Sequence, residues 1–150
     1  MTMQASKDGT VGLGKRRRAR ALAVAGATVA ALAVWTIGEP VLGHDLVVRP
    51  EGQEPQDVSA AAMGVFALLP SLLGWAVLAG LERVTAHAAR IWTAGALTLL
   101  AVSFLPFTGV QATGGSKVVL ALAHAAVGAV LIPVLRRTAT ARRADLAGGR

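Results

Sequence analysis

His124 is the one polar ring in residues 118–133, a stretch that is otherwise apolar or small from end to end. A neutral imidazole there has one nitrogen that donates a hydrogen bond and one that accepts, and both need partners where water is scarce. Two chemistries suit it. In the first, His124 clamps two helices through an interhelical hydrogen bond, a contact worth on average about 0.6 kcal/mol in a membrane. In the second, it pairs with a carboxylate and lines a small polar cavity, since ionisable groups inside membranes mark a pathway or a partner. Glu39, followed by Pro40 at the end of an earlier apolar run, is the carboxylate whose depth matches, and Asp45 is its substitute. This candidate polar membrane site is therefore His124, Glu39 and Asp45.

Other chemistries lack their residues. The chain has no cysteine, which removes disulfides, thiolate metal sites and a cysteine nucleophile together. His44, His87 and His124 show no His-x3-His spacing and are expected at three different depths, so neither metal nor haem is expected. Ser71 and Ser103 lack the Gly-x-Ser-x-Gly setting that supplies a tight turn and backbone oxyanion donors. Residues 9–15 (GTVGLGK) open like a phosphate-binding loop, but Arg16 stands where a Ser or Thr hydroxyl must hold Mg²⁺. The expectation is a protein without catalytic residues, cofactor or metal, and without a nucleic-acid partner.

The elements that must position these groups follow from hydropathy. Of 150 residues 54% are hydrophobic and 15% charged, and the mean hydropathy is +0.58, more apolar surface than a soluble domain of this size buries. Four runs carry no charge: 21–38, 58–81, 91–107 and 118–135. Each approaches the roughly 20 residues a helix needs to cross about 30 Å of hydrocarbon, the third being the shortest. Alanine and leucine dominate over alternating β-branched residues, so the runs read as helices. The predicted fold class is all-α, an integral membrane four-helix up-and-down bundle, with the short connections 82–90 and 108–117 forcing antiparallel neighbours. Segment 39–57, rich in Pro, Gly and acidic residues, reads as a surface loop with at most a short helical turn. Residues 1–14 and 138–150 read as disordered.

Charge sets the orientation. Residues 1–20, 82–90 and 136–150 hold every Lys and Arg except Arg49 and Lys117, so the positive-inside rule puts both termini in the cytoplasm and the acidic 39–57 segment outside. Lys15, Arg16, Arg17, Arg18 and Arg20 before the first run, with Arg136 and Arg137 after the last, are the topology-setting residues. Trp35 and Trp92 are expected as interface anchors and Trp75 as a deeper packing residue. Ala121, Ala125 and Ala129 recur every fourth residue, and Gly128 follows His124 by four; this small-residue face is expected to admit a neighbouring helix of the bundle. Pro70 removes a mid-span hydrogen bond and frees the carbonyl of residue 66, which predicts a bend. A basic start before an apolar stretch also describes a secretory signal, but the run is longer than most signal cores, which favours a retained span.

Several stretches carry a resemblance. They are the Arg-rich start into 21–26 (ALAVAG), Trp35 with the Glu39-Pro40 turn and 43–46 (GHDL), Gly74-Trp75 with 81–83 (LER), 90–93 (RIWT), and His124 followed by 130–137 (VLIPVLRR). From Arg20 to about Thr138 the chain resembles a family of small four-span membrane proteins of high-GC bacteria known as a domain of unknown function. The resemblance implies four spans and no particular activity. The expected role is a non-enzymatic structural or interaction subunit of the cell membrane, with the lipid bilayer as solvent and a second copy or a larger membrane complex as partner. The alternative is a small oligomeric transporter or channel-like protein using the polar site near His124 and Glu39.

Overall fold

Alanine and leucine lead the helix-propensity order, so the apolar runs satisfy their own backbone N–H and C=O groups by winding. The computed structural model describes residues 2–43, 45–49, 52, 54–105 and 112–148, with side chains among these between 12 and 142. Its helices are α1 (Thr2–Thr36), α2 (Ala60–Val84), α3 (Ala88–Val102) and α4 (Gly114–Gly148). Three stretches, Gly12–Val41, Ala60–Val84 and Gly114–Arg142, are long and apolar enough to cross a membrane. At 15 residues, α3 extends about 22 Å, short of about 30 Å of hydrocarbon.

Both ends differ from expectation. The basic segment continues α1 without a break, and α4 runs on to Gly148 where disorder was expected. Arg, Lys, Gln and Met are good helix formers, so a helix already nucleated by its apolar half propagates into them at little cost. The 39–57 segment also differs. Pro40 has no N–H to give the carbonyl four residues back, and the ladder slips to a π-helical turn over Ile37–Val41, closed by Leu42 N–H donating to the Ile37 carbonyl at 3.0 Å. Beyond it β1 (Val47–Val48) pairs antiparallel with β2 (Gln56–Asp57), Val47 opposite Asp57 and Val48 opposite Gln56. Gly52, at φ 74°, takes a left-handed conformation between them that a side chain would resist.

Caps mark the helix starts. Ser59 Oγ accepts from Ala62 N–H ahead of α2, and Thr113 Oγ1 accepts from Ser116 N–H ahead of α4. Pro70 sits inside an uninterrupted α2.

Contacts between helices run in opposite sequence order. Arg20, midway along α1, meets Glu82 and Thr138, whereas Trp35, near its C-terminal end, meets Val58 just before α2. Gly38 lies against Val119 near the start of α4, and Gly26 against Val130. Each of α2 and α4 therefore lies antiparallel to α1. Likewise Gly128 of α4 abuts Leu100 of α3, while Gly74 of α2 lies against Trp92 of α3 and Leu131 of α4. Two apolar clusters fill the space between. One, around Ala23, Ala27, Leu78, Trp92, Leu131 and Leu135, sits at the basic end. The other, around Ala31, Leu46, Met63, Ala67, Val119 and Ala123, takes its cover from the ribbon segment through Leu46 and Val58.

Candidate functional site

Rows of residues four apart decide what α4 can offer. Val119, Ala123, Leu131 and Leu135 are buried and form the inward row. The row Ala121, Ala125, Ala129 starts two residues later, roughly 200° around the helix, and Ala125 and Ala129 are exposed. Of the small-residue face expected to meet a neighbouring helix, Gly128 is buried against Leu100, Ala121 is half-buried, and Ala125 and Ala129 are exposed.

His124 shares the row of Gly128 and stands at the side of α4 facing α3. Its Nδ1 lies 2.9 Å from the Leu120 carbonyl one turn back, so Nδ1 carries the proton and donates. Its ring tilts against Phe104, with centroids 6.3 Å apart. That bond to its own helix accounts for Nδ1.

Glu39 lies elsewhere. It follows Gly38, which meets Val119, and Val119 and His124 are five residues apart, roughly 140° around α4. The groups acting on its carboxylate are the Trp35 indole, Asp57 and Asp45. Its Oε2 is buried and makes no hydrogen bond among the described residues. Glu39 and Asp45 thus lie close enough to act on each other, and His124 stands five residues on from Val119 along α4. His44 falls outside the described residues.

Around Glu39 the ribbon is fastened by two bonds the sequence does not announce. Trp35 Nε1 donates to the Val58 carbonyl at 2.7 Å, and Ser116 Oγ, fully buried, donates to the Asp45 carbonyl at 2.9 Å. Trp35 is thus a tether between α1 and the strand leading into α2. Trp92, expected as an interface anchor, is buried in the core and donates through Nε1 to the Gly74 carbonyl at 2.8 Å. Its indole sits at the start of α3 because that end is packed between α2 and α4.

The most extensive polar arrangement involves Arg20, read from the sequence only as a topology-setting charge. Arg20 is 6% exposed. Its Nη1 and Nη2 donate to Glu82 Oε2 and Oε1 at 3.1 and 2.6 Å, and its Nε donates to Thr138 Oγ1 at 2.9 Å. Thr138 passes its own proton to the Leu135 carbonyl at 2.8 Å, and Arg142 donates to the Glu82 carbonyl. One guanidinium thereby fastens α1, α2 and α4 together. Such forked pairing suits Arg and not Lys, whose ammonium is a point charge. The available signal was that Arg20 and Glu82 each sit at the edge of an apolar run, where a charge has to find a partner or water. Of the remaining basic residues, Lys15, Arg17, Arg18, Arg136 and Arg137 are exposed, and Arg16 is half-buried. No cluster of three or more His, Asp or Glu able to hold a metal occurs among the described residues.

These features define a helical protein with membrane-length helices, polar ends and an apolar exterior. The family model described as a family of unknown function, DUF6069, matches residues 11–141, and the chain belongs to that family. No curated protein and no solved structure matches it.

Proposed function

We propose that the chain is a multi-pass protein of the plasma membrane, an up-and-down four-helix bundle with α3 as a short fourth span and both termini cytoplasmic. It acts without catalysis, as a structural or interaction subunit. The observation that carries this reading is the outward display of large apolar side chains along the helices. Leu22 and Val29 on α1, Phe66 and Leu73 on α2, and Leu122 on α4 are all exposed. Soluble monomers rarely expose contiguous apolar patches beyond a few hundred Å², whereas lipid tails solvate them. A span as short as α3 is accommodated by local thinning of the bilayer or by neighbouring helices. The exposed Ala125 and Ala129 give a second chain a close-packing surface, as small residues do between membrane helices.

Single cysteines at Glu54, Ala86, Gly114 and Ala141, in a chain with none of its own, test the topology with a membrane-impermeant thiol reagent in intact cells. Labelling at 54 and 114 alone is expected; labelling at 86 or 141 would break the orientation. Oxidative crosslinking through Ala125→Cys in native membranes tests the subunit role, and chains that yield no crosslinked product from either Ala125→Cys or Ala129→Cys would sink it.

A second reading, a small oligomeric transporter, rests on the buried Glu39 Oε2 that makes no hydrogen bond among the described residues. Flux in proteoliposomes that survives both Glu39→Gln and His124→Leu would remove that pair from any pathway.

A further inference from the structure

The α1 and α2 faces that meet at Arg20 and Glu82 leave a cavity of about 330 Å³ between them. From α1 it takes Leu13, Arg16, Arg17 and Arg20, spaced as one helix face at i, i+3, i+4 and i+7. From α2 come Trp75, Ala79, Glu82 and Arg83, again one face, and Arg142 of α4 completes the wall. Five arginines thus surround one glutamate. Both oxygens of that glutamate are engaged by Arg20, and its backbone carbonyl by Arg142. Arg17 and Arg83, both exposed, meet no acidic side chain among the described lining residues beyond the already engaged Glu82, while Trp75, Ala79 and Leu13 supply an apolar wall beside them.

We propose that this cavity binds the phosphate of an anionic phospholipid. Guanidinium groups recognise phosphate oxygens in forked pairs, and basic pockets between membrane helices on the cytoplasmic side suit acidic headgroups. The indole of Trp75, packed against the apolar core, supplies the inner apolar wall beside which an acyl chain would lie. The volume lies at the small end of ligand pockets, enough for a phosphate and its glycerol but not for a bulky head. Arg20 and Glu82 form the floor and Arg17 and Arg83, both exposed, the accessible rim. This goes beyond the subunit reading and rests on the proposed membrane placement with the Arg20 end cytoplasmic, which alkaline carbonate extraction and the cysteine-labelling pattern report separately.

The test is native mass spectrometry of the full chain in detergent, titrated with phosphatidylglycerol, phosphatidylcholine or inorganic phosphate. A phosphatidylglycerol adduct is expected at concentrations where phosphatidylcholine gives none. Arg17→Gln/Arg83→Gln should weaken it by at least about tenfold, and Arg136→Gln/Arg137→Gln, which removes equal charge outside the cavity, by less than about twofold. Ala79→Phe, which fills the cavity and leaves every charge, should block the adduct, so the inference stays testable if the charge variant does not fold. Helix content by circular dichroism in phosphatidylcholine micelles qualifies each variant. Equal losses in the two charge variants would reveal diffuse attraction and overturn the site. So would an adduct indifferent to Ala79→Phe, or inorganic phosphate displacing the lipid at matched concentration.

Discussion

At the scale of single residues, the decisive group is Arg20. A charge taken out of water is tolerated only when paired and hydrogen-bonded, and Glu82 and Thr138 supply both. Removing one partner strands the other. Glu82→Ala is therefore expected to destabilise the fold by about 3 kcal/mol, while Arg20→Met/Glu82→Leu, which removes both charges together, should recover most of that loss. Unfolding by mixed micelles with rising denaturing detergent measures both; a double variant as unstable as the single one would show that the pair is not what matters. Trp35 is a milder case. Trp35→Phe keeps the apolar ring and loses the bond to the Val58 carbonyl, with an expected loss of about 1 kcal/mol in the same assay.

At the scale of elements, the close approaches of α4 to its two neighbours are unlike. A Cβ on Gly38 would lie 2.5 and 2.6 Å from the Val119 Cγ atoms and 3.1 Å from its Cβ. Val119 is β-branched and stiff in a helix, so it cannot turn aside. A Cβ on Gly128 would meet the Leu100 Cδ2 at 2.8 Å, but that atom is the far end of a flexible side chain. Gly38→Ala should thus destabilise by roughly 1–3 kcal/mol and be relieved by Val119→Ala, while Gly128→Ala should stay within about 1 kcal/mol. Thermal unfolding of the three variants decides between this and a uniform effect of adding a methyl group. The π turn belongs to the same scale. Pro40 was legible as a breaker, but the sequence does not say whether a chain deprived of one donor ends its helix or shifts register.

At the scale of the whole molecule, apolar side chains face both inward and outward, and the polar groups gather at the two ends of the apolar stretch of α1: Arg20, Glu82 and Arg142 at one, Glu39 and Asp45 at the other. A chain built this way should stay in the membrane pellet after alkaline carbonate washing. Recovery in the supernatant would contradict the membrane reading and leave the exposed apolar side chains to be explained by a protein partner instead.

The amino-acid sequence by itself determined that the protein is helical, roughly where its long helices lie, and that they are apolar enough to cross a membrane. Those properties depend on local propensity and on runs of residue type, which are written along the chain. Three things it could not determine. Small residues permit close approach, so the sequence singles out Ala121, Ala125, Gly128 and Ala129; in the structure Gly128 meets α3, while the most buried row of α4 is Val119, Ala123, Leu131 and Leu135. The pairing of His124 with Glu39 is read from depth alone, and depth says nothing of the angle around a helix. The bond of Arg20 to residues 62 and 118 positions away was hidden because an arginine before an apolar run is explained by topology alone, and only the convergence of three helices shows that it is buried.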